Sequence, residues 1–270
     1  MYQPKPLYKL LDWIDINKIN WESLSGNPNA IPLLEKNPDK INWVWLSANP
    51  NAIHLLEKYP EEIEWKVFSK NPNAIPLLEK NQDKINWSWL SQNPNSISLL
   101  EKNPDKISWK DLSRNPNAIH LLEKNQDKII EWFMLSDNQN AIPFLEKNPD
   151  KICWTWLSLN PNAIHLLEAN LDKIEWDWLS ENPNAIHLLE KNQDKIDWTF
   201  LSGNPNAISL LEKNEEKIDW EYLSSNPSIF EIDYKKMKKQ MVDIFCEELM
   251  MVVFHPKRIS AWLDAGFEDF

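Results

Sequence analysis

Apolar and polar positions along this chain repeat as a block. From Asn27 to Ala48 the sequence reads NPNAIPLLEKNPDKINWVWLSA. Ala30, Ile31, Leu33 and Leu34 form one apolar cluster and Ile41, Trp43 and Leu46 a second, with polar residues between them. The block returns every 22 residues, at Trp21, Trp43, Trp65, Trp87 and Trp109. After one 23-residue step it resumes at Trp132, Trp154, Trp176, Trp198 and Trp220. A fixed period of this length is the mark of a repeat architecture. Nine full units end at Ser225, preceded by a divergent half-unit from Leu7 to Gly26 and followed by Asn226-Pro227, the start of a unit that is not completed.

Each block predicts two short helices. Asn27 is a good N-cap and Pro28 suits a first helical position. The apolar positions after them fall at i, i+1, i+3 and i+4, one face of helix A. Asn37-Pro38 stops that helix and begins a second turn. Helix B then starts at Trp43, entered through Asn42, and is short enough to be partly 3₁₀. Helices of this length are not stable alone in water, so each must bury its Ile, Leu and Trp against the next unit. The expected fold is all-α: an α-solenoid of about ten 22-residue units, drawn out as a rod or gentle superhelix roughly 80–100 Å long at ordinary helix spacing. Residues 1–26 read as an amino-terminal cap, 27–227 as the repeats and 228–270 as a helical carboxy-terminal cap. Ile31, Leu34, Ile41, Trp43 and Ser47, constant from unit to unit, read as core and capping; Trp87 should be enclosed between layers. The Glu, Lys and Asp of EKNPDK read as solvated rows.

Composition narrows the function classes. Three glycines leave no phosphate-cradling loop, and a formal charge of −12 argues against nucleic acid or an anionic membrane as partner. Two cysteines, Cys153 and Cys246, are too few for a disulfide framework, and a reducing intracellular compartment is expected. No apolar run is long enough to span a bilayer. No cofactor, metal site or catalytic constellation is expected, so the chain reads as a non-enzyme.

The unit NPNAIHLLEKNPDKI-x-W-x-x-LS resembles a repeat of uncharacterised proteins from large nucleocytoplasmic DNA viruses. The tail Phe254-His255-Pro256-Lys257-Arg258-Ile259, followed by Trp262-Leu263, is similar to their carboxy-terminal ends. The resemblance implies a host-cytoplasm setting, or a place in the virion, and brings no catalytic residues. More loosely, the unit resembles leucine-rich variant repeats, which alternate an α-helix with a 3₁₀ helix.

Function should live where units differ. Two residues past the fixed tryptophan the chain carries Ser23, Trp45, Val67, Trp89, Asp111, Met134, Trp156, Trp178, Phe200 and Tyr222. This row packs between layers or forms an exposed aromatic ladder; Trp45, Trp89, Trp156, Trp178, Phe200 and Tyr222 are the candidate partner-binding residues. His54, His120, His165 and His187 share a slot with proline and serine, which points to an exposed first-turn position rather than a metal site. The residue before each Asn-Pro, among them Lys70, Gln92, Arg114, Asp137 and Glu181, has no consistent chemistry and could tune partner choice. One residue is inserted at Ile129-Ile130. The leading expectation is a scaffold for a protein or peptide partner, monomeric or weakly self-associating. A structural element of a particle or assembly is the second reading.

Overall fold

The computed structural model describes residues 7–128, 131–253, 255, 257 and 258. The expected repeat is present: B helices such as Trp43–Ala48 alternate with A helices such as Ile53–Lys58, joined by 3₁₀ turns such as Pro60–Glu62. The B helices are α-helical despite their length, because both ends are satisfied locally. The Asn42 side chain accepts from the Trp45 amide at 3.2 Å, and the Ser47 hydroxyl donates to Trp43 O at 2.8 Å. Leu34, Leu46 and Leu56 are completely buried between the A and B tiers, as is Ala52, whose small side chain lets the tiers close up.

The asparagine of each first Asn-Pro does more than open helix A. Asn49 Oδ1 accepts from the Asn51 amide at 2.9 Å, which makes a tight turn; helix A starts only at Ile53. The carboxamide nitrogen of Asn49 reaches back to the preceding unit and donates to Ser25 O at 3.0 Å and Asn27 O at 2.8 Å. Asn51 Nδ2 donates to Pro28 O, and the Asn42 amide donates to Ser25 Oγ. Asn49 and Ser47 are fully buried. These four bonds join one unit to the next, and the asparagine bonds recur along the array. Across the inserted residue Asn138 still donates to Ser113 O at 2.8 Å and Asn115 O at 3.0 Å. Ile129 and Ile130 themselves lie outside the described residues.

The array does not end as a rod. Asn27 Nδ2 donates to Ser224 O at 3.1 Å and Asn226 O at 2.8 Å, Asn29 Nδ2 to Pro227 O at 2.9 Å, and the Asn20 amide to Ser224 Oγ at 2.9 Å. These are the same four bonds that join the Trp43 unit to the one before it. Helix Trp21–Gly26 packs on Trp43–Ala48 at one side and on Trp220–Ser225 at the other. The solenoid therefore closes into a ring of ten B helices. The half-unit at the beginning and the unfinished unit at the end complete one another. Residues 21–26 are thus a full member of the stack rather than part of a cap, and closure removes the exposed end layers that caps would cover.

Unit Asp12–Ile229 is this ring. B helices of successive units pack closely, while A helices approach one another less closely, so B forms the inner tier and A the outer. Ten helices on a circle at the usual 8–10 Å spacing put opposite B helices roughly 26–32 Å apart.

Segments Met1–Leu11 and Phe230–Phe270 make a second compact unit. Where another repeat would begin helix A, the chain enters strand β2 (Phe230–Ile232), which pairs antiparallel with β1 (Tyr8–Leu10). Lys9 and Glu231 face each other across the pair with a 2.8 Å ion pair. The expected long helix follows as Tyr234–Val253, with Asp233 accepting from the Lys236 amide in its first turn. Most of the tail from Phe254 onward, including Trp262 and Leu263, lies outside the described residues.

The fixed tryptophans differ from expectation. Trp43, Trp87 and their equivalents are partly buried rather than enclosed. A lysine of the next unit covers several of these rings: Lys40 lies 4.3 Å from the Trp21 centroid, Lys84 4.6 Å from Trp65 and Lys195 4.5 Å from Trp176. Lys18 lies 4.9 Å from Trp220 across the closure. Lysines of these 3₁₀ turns, among them Lys40, Lys84 and Lys195, thus make inter-unit cation–π contacts and are not simply a solvated row.

Two outcomes follow from closure and its ladder. Amide exchange should show Asn20, Ala30 and Leu223 as protected as the matching amides in the middle of the array, whereas an open solenoid frays at both ends. Asn160→Ala, which strands the Ser136 carbonyl and leaves Asn138 O with the Ala141 amide alone, should cost about 1–3 kcal/mol in chemical denaturation. Asn162→Ala, which loses an exposed bond to Gln139 O, should cost about 1 kcal/mol or less.

Candidate functional site

Helix B places two variable rows on the inner side of the ring. In the first row, two residues past the fixed tryptophan, neighbouring rings pack on one another: Trp156 and Trp178 tilted at 5.3 Å between centroids, Trp178 and Phe200 stacked at 5.3 Å, and Phe200 and Tyr222 edge to face at 5.6 Å. Phe133, not Met134, continues the row beyond Trp156, at 5.8 Å. The inserted residue precedes this helix, and Met134 is buried. Trp89, Trp156, Trp178, Phe200 and Tyr222 are partly buried in this row, and Trp45 stands 51% exposed. The row therefore combines the two readings of the sequence, since its rings pack between units and also keep accessible surface.

The second row is the residue before each Asn-Pro, and its charges converge. Lys70 feels Arg114, Asp111 and Asp137, although Asp137 is three units away. Glu181 feels Asp137 from two units away. Charges this far apart in the array act on one another because the ring turns these side chains towards its axis. Arg114 lies over the Trp156 ring at 4.8 Å and pairs with Asp137 at 3.5 Å. That pairing is not a directed hydrogen bond, so Arg114 Nε is buried and unbonded.

The two rows form one surface, a coupling that sequence reasoning missed. Gln92 donates to Asp111 of the next unit at 2.8 Å. Gly26 and Gly203 occupy the same slot, and a Cβ there would sit 3.6 Å from the rings of Trp45 and Tyr222 in the next unit. The available signal was a spacing of 19 residues, at which a glycine precedes an aromatic and a glutamine precedes an aspartate.

Burial dominates the titration of this surface. It pushes the Asp137 carboxyl up, against the pull of Arg114 and Lys70, and pushes Glu181 up with help from Asp137. It draws Lys70 down, as does the nearby Arg114.

The outer tier carries a different chemistry. His54, His165 and His187 each contact a glutamate of the preceding unit, Glu35, Glu146 and Glu168, at 2.9–3.1 Å. These pairs are exposed and contribute little to stability. Among the described residues no group of three or more His, Cys, Asp or Glu side chains could hold a metal ion. Nor is any described helix long and apolar enough to cross a membrane. Cys153 is a free thiol at the start of its B helix; the side chain of Cys246 lies outside the described residues.

The fold and this inner face define the class: a repeat protein whose α-solenoid closes on itself. Comparison with family models, with curated proteins and with solved structures finds no match to the chain.

Because the folded state raises the Glu181 value above the usual 4.5, it holds more protons than the unfolded chain in the interval just above 4.5. Stability falls as pH rises through that interval, and the deficit persists at pH 7. Glu181→Gln should therefore raise the thermal midpoint at pH 7, with the gain shrinking towards pH 4. Equal gains at both pH values would mean that the carboxylate charge is not what burial penalises.

Proposed function

We propose that this protein is a non-catalytic scaffold that binds a protein or peptide along the inner face of its ring. One observation carries the reading. The B helices hold their buried residues constant while the residues facing the axis vary, and those variable positions are filled by large aromatics whose rings stay partly accessible. Serine and aspartate occupy the same row at Ser23 and Asp111, so closure of the ring does not require an aromatic there. Tryptophan and tyrosine on a concave surface are the residues that dominate recognition. Convergent charges beside them supply orientation and selectivity. The likeness of the unit to repeats of large DNA-virus proteins supports a setting in the cytoplasm of an infected host. The alternative, a structural element of a particle or higher-order assembly, would have to use side-to-side contacts rather than end-to-end stacking of the repeats, because closure uses both ends of the array.

The test is a double variant, Trp156→Ser with Trp178→Ser. Each stacked pair contributes about 0.5–1.5 kcal/mol, so the ring should keep its helical signal and lose only a few degrees in midpoint. Recovery of the partner that copurifies with the unaltered protein should drop at least tenfold in quantitative mass spectrometry. Unchanged recovery from a folded double variant would exclude this stretch as the binding surface.

A further inference from the structure

The inner aromatic row is interrupted at Val67. Trp45 and Trp89 stand on either side of it, in the preceding and following units, and between them lies a cleft of about 410 Å³. Val44, Trp45, Ala48, Val67 and Trp89 provide its apolar walls, and Lys70 reaches it from the second row. Elsewhere along the row, successive rings sit 5.3–5.8 Å apart. At that step Trp45 and Trp89 would stand roughly 11 Å apart, room for one more aromatic ring packed between them at the row's own spacing. Valine is too small to occupy it. Trp45 rests on the Gly26 side, where a Cβ would be 3.6 Å from its ring, and is 51% exposed; Val44 is 49% exposed.

The charge at this cleft is positive. The ammonium groups of Lys66 and Lys70 each lie 5.9 Å from the Trp89 centroid. Asp137 is engaged with Arg114, and Asp111 with Gln92 and Ser108. Lys70 forms no ion pair among the described residues. Its side chain is exposed, with Arg114 pulling its affinity for a proton down and Asp137 and Asp111 pushing it up, and an anion brought to it would meet an ammonium with no ion pair of its own. Two indole walls with a ring-sized gap, and a lysine at the edge, select for both shape and charge.

We propose that the Val67 cleft binds a planar aromatic ring carrying a carboxylate, the ring stacking between Trp45 and Trp89 and the carboxylate facing Lys70. The chemistry is shared by a free aromatic acid and by a peptide that ends in an aromatic residue. The proposal rests on the reading of the inner face as a recognition surface, and it is testable without the macromolecular partner.

Titration calorimetry of the full chain with N-acetyl-L-tryptophan should show binding, and N-acetyl-L-alanine should show none. N-acetyl-L-tryptophanamide, which keeps the ring and lacks the charge, should bind at least tenfold more weakly. Lys70→Gln should weaken the acid by about tenfold and bring acid and amide to similar affinity. Val67→Phe places a ring of this chain's own in the gap and should abolish binding while preserving circular dichroism and the thermal midpoint. Trp89→Ser, a residue type the row already accepts at Ser23, provides a second variant that should also abolish binding. A short peptide ending in tryptophan distinguishes the source: tighter binding than the free acid indicates a chain terminus, and equal or weaker binding indicates a small acid. No binding of either probe at millimolar concentration, equal binding of acid and amide, or unchanged binding to folded Val67→Phe would overturn the proposal. Those results would leave the Trp156–Trp178 surface as an open reading. Loss of partner recovery at that surface would in turn say nothing against the cleft.

Discussion

A primary carboxamide buried without partners is costly, and this protein buries one in every repeat. Asn49 resolves the cost by donating to two backbone carbonyls of the preceding unit and accepting from an amide in its own turn. Asn27 O also accepts from the Ala30 amide at 3.1 Å, but Ser25 O relies on the asparagine and without it would be buried and unpaired. Each repeat is therefore incomplete until its neighbour is docked in one register. Leucine contacts could slide along the stack with little penalty, but these paired bonds could not. The rest of the structure depends on this constraint, because the same bonds at every interface impose nearly the same rotation at every interface. About 36° per repeat brings the tenth unit back to the first.

Closure changes what each residue faces. In an open rod the variable rows would lie along a strip, each residue near only its neighbours in adjacent layers. In the ring they converge, which is why Lys70 senses Asp137 across three units and why burial governs the titration of Asp137 and Glu181. The outer tier diverges instead, and its His–Glu pairs remain exposed neighbours without wider connection. One repeat thus yields a crowded inner surface with varied chemistry and a spaced outer one with repetitive chemistry. Recognition residues belong on the first.

Closure also explains the two ends of the sequence. The Asp15-to-Gly26 segment supplies a turn and a B helix without a preceding A helix, and the segment ending at Ile229 supplies the matching turn without a following one. Neither is a degraded repeat: Lys18 covers Trp220 as Lys40 covers Trp21, and Asn20 meets Ser224 as Asn42 meets Ser25. The pairing of β1 with β2 then joins the residues flanking the closure within the second unit.

The sequence by itself determined the repeat, the two helices in it, the leucines and alanines that fill the core, and the row in which aromatics gather. All of these follow from local periodicity and capping chemistry, which act within about one unit. It also marked Ser47 and the asparagines as constant, without showing that Asn49 and Ser47 bond between units. Only the tertiary structure decided that the array closes, that the two variable rows share one inner surface, and that lysines cover most of the fixed tryptophans. The rotation per repeat arises from the difference in packing distance between the inner and outer tiers. That small difference has no local signature, and ten repetitions of it turn a rod into a ring.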